Sequence, residues 1–456
     1  MLPTSLGFYL YIALAFLLYW AVARVRTLRH LVLLAASLFF LARFALFYPV
    51  LLTVAALTDY AVGLLLGAIK PHRTLLRGTV FSVSVLLNLA LLITPKILPG
   101  YLPHQWTWIF PLSLSFYSFQ AISYTADVYA GKTRPERNAL CYLTAATFFA
   151  TLMAGPITRL SLLVNDLRKS PGLKRDEGSS ALLQIVVGLL KKLLIANYLA
   201  DNLVNRIWDT PSLYSGLEVA TGILAYALQI YFDFSGYTDI AIGVGKLFGV
   251  HLPANFNQPY VADSIRDFWR RWHISFSSWL RDYLYIPLGG SHCAKVRTAI
   301  NLMVTMLLAG LWHGISWCFL LWGAVHGCAL VVAHLFRRRQ KNAPPVALRL
   351  LSGAATFLFV VVAWIPFRAP SLDQMFEVLA RLSSFTFEHD NLSADQLSVL
   401  AFSTVLVFVA PLASPLLHKL YVRMPMLLQG TVLAGFLIAL EMLAGHGSSN
   451  FVYQNF

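Results

Sequence analysis

The sequence predicts an all-α, polytopic membrane protein. Hydrophobic residues make up 58% of it and charged residues only 12%. Its mean hydropathy is +0.66. Apolar runs recur along its whole length, with basic residues gathered between them. A soluble chain with this balance has too little polar surface to cover its core. A crossing helix needs roughly 20 mainly apolar residues, so the pattern predicts about eleven spans, with interfacial or re-entrant helices beside them.

The first apolar runs are Leu6–Val22, Leu31–Tyr48, Leu51–Ile69, Val80–Ile93 and Trp106–Tyr129. Leu6–Val22 has no basic region before it and no clear small-residue cleavage site after it, so it reads as a retained first helix. Arg24, Arg26 and Arg29 follow the first run, Lys70, Arg73 and Arg77 the third, and Lys132, Arg134 and Arg137 the fifth. Odd-numbered runs therefore end in cytoplasm, and the N-terminus faces outside. Leu140–Ile157, ending Ala154-Gly155-Pro156, breaks this alternation because the loop Arg159–Arg175 is basic again. That run is expected to re-enter or lie flat, with protein or water lining its non-helical backbone.

Further runs follow at Leu182–Leu203, Val219–Phe234, Ile240–Val250, Ala299–Leu311, Ile315–Leu335, Leu350–Ile365, Val399–Leu412 and Leu427–Leu443. Between them, His251–Arg297 is rich in Arg and Trp and holds no spanning run, so interfacial helices on the cytoplasmic face are expected. Arg337-Arg338-Arg339-Gln340-Lys341 marks a cytoplasmic loop, Pro366–Asp395 falls outside, His418–Arg423 inside, and the C-terminus outside. The net charge of +15 belongs to such loops and to anionic headgroups rather than to nucleic acid. Cys141, Cys293, Cys318 and Cys328 form no CxxC pair, and His292, Cys293 and His313 lack metal-ligand spacing; no metal site and no disulfide framework is expected.

Trp312-His313-Gly314 is the most informative segment. His313 sits within the apolar stretch Ala299–Val332. An ionisable group at membrane depth is costly and usually functional, and histidine is the natural base near neutral pH. The plainer alternative is a buried histidine donating to a backbone carbonyl. His326 lies in the Gly-rich run Gly323-Ala324-Val325-His326-Gly327, which fits tight helix packing.

The second candidate block is Phe232–Gly290. Asp233 and Asp239 flank Ser235-Gly236-Tyr237, read as a helix end; they line a polar tunnel or pair with an arginine or a helix cap. Trp269, Arg270, Arg271, Trp272 and Trp279 read equally as an aromatic belt with snorkelling arginines. His273 and Ser277 share one helix face, with a structural role as the plainer reading.

This block, followed by Trp312-His313-Gly314, resembles the membrane-bound O-acyltransferase superfamily, alginate O-acetylase branch. Ser113–Val128, Ala154-Gly155-Pro156-Ile157 and Trp364-Ile365-Pro366-Phe367-Arg368 carry the same resemblance, which extends over roughly 31–368. The chain departs from it at Phe149–Met153 and at the tail Asn450–Phe456. The D-alanyl transfer protein of teichoic acid synthesis shares the central block. The resemblance implies a single membrane-embedded domain over 1–456, with a catalytic core of about 107–336 around a central tunnel and an interfacial segment 251–297. It implies His313 as the catalytic histidine and His273 as a second family histidine.

It also implies acetyl-coenzyme A as a donor substrate, with no bound cofactor. Arg266, Arg270, Arg271 and Arg281 offer contacts to the donor phosphates, and Trp272, Ser275, Asp233 and Trp312 line its path. The implied setting is a bacterial inner membrane. The implied partners are membrane lipids, a periplasmic O-acetyltransferase and a polysaccharide such as alginate, with cellulose or peptidoglycan as alternative acceptors. A proton-coupled transporter is the rival of a different class, and a scaffold for polysaccharide export is a third reading.

Overall fold

The computed structural model describes residues 6–97, 110–152, 155–336 and 345–443, and no strand occurs among them. The Arg337–Lys341 loop, Ala154 and the tail Asn450–Phe456 lie outside the described residues.

The first helices are α1 (Leu6–Ala21), α2 (Arg26–Ala42), α3 (Tyr48–Ala68), α4 (Thr74–Ile97), α5 (Phe110–Tyr129), α6 (Ala139–Ala146), α7 (Phe149–Leu152), α8 (Leu160–Arg168) and α9 (Arg175–Leu189). Two π segments, Leu190–Ala196 and Ala200–Val204, are joined by α10 (Asn197–Leu199) and followed by α11 (Asn205–Asp209). Then come α12 (Gly216–Leu247), α13 (Ile265–Arg271) and α14 (Ile274–Leu280), the last continuing as a π segment, Arg281–Tyr285. The chain closes with α15 (Lys295–His313), α16 (Trp317–Leu335), α17 (Val346–Arg368), α18 (Leu372–Leu382), α19 (Ala394–Arg423) and α20 (Met426–Leu443).

Among the described residues, seven helices are long and apolar enough to cross a membrane: α3, α4, the stretch Arg175–Asp209, α15, α16, α17 and α19. Shorter apolar helices lie at Gly7–Ala21, Ala139–Leu152 and Met426–Leu440. The chain divides into two compact units. One holds the described residues up to Leu189 together with Tyr237–Ala254; the other holds Leu190–Gly236 together with those from Asn255 onward.

In the first unit, α3, α4 and α5 are tied by a buried carboxylate. Asp59 accepts from Ser84 (3.0 Å), Asn88 (2.9 Å) and Tyr117 (2.7 Å). Three charge-assisted bonds offset the cost of holding that group away from water. The run 140–157 does not form one helix. It breaks into α6 and α7, neither of which approaches the length of a span, and both are largely buried.

Two expectations are corrected. The runs 219–234 and 240–250 are not separate helices; they share the 32-residue α12. Asp233 and Asp239 therefore lie within a helix and not at its end. Side-chain partners satisfy both acids, so the helix need not stop: Lys192 meets Asp233 at 2.8 Å, and Gln184 donates to Asp239 at 3.0 Å. The segment 251–297 is not confined to a surface either. Its central residues Trp272, His273, Ser275 and Phe276 are buried, with Phe276 packed on Trp312 of α15 and Trp272 on Trp364 of α17.

Candidate active site

The site grows from the α15–α16 hairpin. Gly310 and Gly323 let the two backbones meet: a Cβ on Gly310 would lie 2.2 Å from the Phe319 carbonyl oxygen, and one on Gly323 would lie 2.4 Å from that of Met306. Close approach through small residues is how membrane helices pack. The turn between them is Gly314-Ile315-Ser316, and the Ser316 hydroxyl accepts from the Phe319 amide at 3.3 Å to cap α16. His313 is the last residue of α15 and is 4% exposed. Rings surround its imidazole: Trp312 at 4.7 Å, Phe367 at 4.8 Å, Trp322 at 5.2 Å and Phe276 at 5.9 Å between centroids.

His273 reaches the same cage from the other side. It precedes α14 with φ 41°, in the left-handed region that non-glycine residues rarely adopt. The surroundings must hold such a conformation, and here Asn255 does so. The Asn255 carbonyl accepts from the Ile274 amide at 2.9 Å, its side chain accepts from the Ser275 amide and hydroxyl, and the Asn257 amide donates to Arg271 at 2.9 Å. The imidazole lies 4.7 Å from Phe234, 5.0 Å from Phe276 and 6.2 Å from Trp312. It lies outside the seven candidate spans, and burial pushes its pKa well below the ordinary histidine range. The structure thus brings His313, His273 and Trp312 into one aromatic cluster, with Phe276 between the two histidines.

The remaining expected site residues are spread more widely. Trp272 is buried, packing on Phe256 and Trp364 at 5.0 Å each. Ser275 spends its hydroxyl on Asn255. Asp233 is ion-paired with Lys192, both side chains almost fully buried. Arg271 is paired with Asp267 at 2.7 Å and Arg281 with Asp282 at 2.8 Å. Arg270 is exposed and Arg266 is half-buried beside Tyr285; four residues apart on α13, the two share a face. No cluster of three metal-ligating side chains occurs among the described residues.

Sequence reasoning missed Asn255, Phe276, Trp322 and Lys192 as parts of this neighbourhood. Asn255 and Phe367 stand in segments whose pattern was informative, but nothing local marked their roles. Phe367's neighbour Arg368 donates to Asn205 at 3.2 Å and lies over Trp208, 5.8 Å from the ring centroid, which holds the end of α17 in place.

Comparison with known proteins identifies the family. The membrane-bound O-acyltransferase family pattern matches residues 33–369. A probable alginate O-acetylase of Azotobacter vinelandii is 36% identical over 442 residues, covering 92% of this chain and 84% of that relative. One from Pseudomonas aeruginosa is 37% identical over 409 residues, covering 86% and 77%. A peptidoglycan O-acetyltransferase of Helicobacter pylori is 32% identical over 415 residues, covering 82% and 78%. A helical, multi-span architecture and a family pattern over most of the length lead to one conclusion: this chain belongs to the membrane-bound O-acyltransferase family and is an acyl-transferring enzyme.

Proposed function

We propose that this enzyme moves an acetyl group from cytoplasmic acetyl-coenzyme A to a hydroxyl of an extracytoplasmic polysaccharide, alginate-like by the names of its alginate O-acetylase relatives. The observation that carries the mechanism is the placement of His313, buried at the C-terminal end of α15 inside an aromatic cage. A neutral imidazole there accepts the proton of an acceptor hydroxyl as its oxygen attacks the thioester carbonyl. Collapse of the tetrahedral intermediate breaks the C–S bond, and His313 returns the proton to the departing thiolate. The balance is one ester formed and one free thiol released. Arg266 and Arg270 meet the donor phosphates, and His273 holds the carbonyl or relays the proton. The acceptor is a sugar hydroxyl or a serine of a periplasmic O-acetyltransferase that completes the transfer. The setting is the inner membrane of a bacterium, with the N-terminus periplasmic.

The peptidoglycan O-acetyltransferase relative favours a second acceptor, a hydroxyl of peptidoglycan, served by the same chemistry. The test is acetyl-coenzyme A consumption by the purified protein in lipid vesicles. A positioned base typically supplies ~10²–10⁴ in rate, so a folded His313→Ala variant should lose about that factor. If the unaltered protein consumes no donor even with partner and polymer supplied, acetyl-coenzyme A is abandoned, and proton-coupled flux is measured instead.

A further inference from the structure

A third histidine lies in the same unit and the mechanism above does not use it. His326 on α16 is 0% exposed, and neither of its ring nitrogens finds a hydrogen-bond partner among the described residues. Trp322 stands 5.0 Å from it and Trp269 5.2 Å; both indole N–H groups are also buried without an acceptor among the described residues. Buried polar groups in folded proteins nearly always have partners, so three such groups on adjoining rings are hard to explain as packing alone.

Their position gives them meaning. Trp322 lies 5.2 Å from His313 on one side and 5.0 Å from His326 on the other. Trp269 precedes the exposed Arg270 on α13. Trp269, His326 and Trp322 therefore form one ring cluster that touches His313 through Trp322 and belongs, through Trp269, to the helix that carries Arg266 and Arg270. Indole N–H groups only donate, and a neutral imidazole donates once and accepts once. That set matches an amide, which offers a carbonyl oxygen and an N–H.

We propose that His326, with Trp269 and Trp322, forms a subsite for an amide in the arm of the thioester donor. The inference rests on the acyl-transfer reading. It assigns the phosphates to Arg266 and Arg270, an arm amide to His326, and the thioester carbonyl to His313. No covalent step involves His326: it acts on affinity and alignment.

The test compares two acetyl thioesters, acetylpantetheine, whose arm carries amides, and S-acetylhexanethiol, whose arm carries none. His326→Phe should lower kcat/KM for acetylpantetheine about tenfold, the loss of one buried hydrogen bond, and leave S-acetylhexanethiol within about twofold. His326→Gln, which keeps a donor and an acceptor, should recover part of the preference. Should the Phe variant not fold, Trp269→Phe reads the same selectivity through the lost indole N–H. Equal losses on both thioesters, or none on either, overturn the subsite. Failure of the unaltered protein on both thioesters and on acetyl-coenzyme A overturns the acyl-transfer reading instead.

Discussion

His273 shows how one residue bears strain and burial together. Its left-handed backbone costs of order 1–3 kcal/mol, and Asn255 holds it by accepting from the two amides that follow, those of Ile274 and Ser275. Burial depresses its pKa in the folded protein. Below the unfolded value of 6.5, the unfolded chain takes up a proton that the folded chain refuses. Stability therefore falls as pH drops through 6.5, by about 1.4 kcal/mol per pH unit for this one group. Thermal unfolding in detergent at pH 7, 6 and 5 should show that slope, and His273→Gln should flatten it; an identical slope in the variant removes the assignment. Asn255→Ala should cost about 1–3 kcal/mol and lower kcat by displacing His273, read by unfolding and by acetyl release. His313 was legible as an imidazole inside an apolar run, whereas His273 read as structural and was picked out only by the family resemblance. Asn255 was not legible, since its role depends on a turn that only folding brings beside it.

Helices carry the next layer of argument, and here the glycine pattern and the apolar periodicity behave differently. Gly323 and Gly327 were legible as packing residues, and the hairpin uses them so: a Cβ on Gly327 would lie 2.8 Å from the Met303 sulfur. Gly323→Ala should push α15 from α16, lower the unfolding temperature by the equivalent of about 1–3 kcal/mol and reduce acetyl transfer with it. An unchanged unfolding temperature would mean that the hairpin relaxes freely. The length of α12 was not legible, because polar residues at its middle looked like a boundary. Lys192 resolves that, reaching Asp233 from a π segment, where the extra residue per turn redirects side chains. Lys192→Met alone leaves a buried carboxylate and should cost about 3–5 kcal/mol. The double variant Lys192→Met with Asp233→Leu should recover much of this loss, and a double variant as unstable as the single one would refute the pairing argument.

For the whole molecule, what matters is which side of the membrane each end of the site faces. The multi-span class was legible from composition alone, since no soluble core absorbs so much apolar surface. The number of spans was less so, because broken stretches such as α6–α7 have the composition of a span without its length. At ~1.5 Å per residue, the 19 residues of α15 cover about 28 Å, close to the hydrocarbon thickness. Lys295 and Arg297 begin that helix, and the chain after α16 runs into Arg337-Arg338-Arg339. The positive-inside rule therefore predicts that both ends of the hairpin face the cytoplasm and that His313 lies toward the opposite face. On the proposed reading, a donor entering from the cytoplasm would extend an arm along the helices, and an acceptor would enter only shallowly from outside. Native cysteines test this directly. Cys141 and Cys318 are buried, Cys328 lies within a candidate span, and Cys293 is exposed just before α15. A membrane-impermeant maleimide should label Cys293 in inverted vesicles and not in right-side-out ones. A cysteine introduced at Phe385, 77% exposed in the segment before α19, should give the reverse. Labelling of Cys293 from outside would invert the molecule and place the donor's entry on the wrong side for a cytoplasmic thioester.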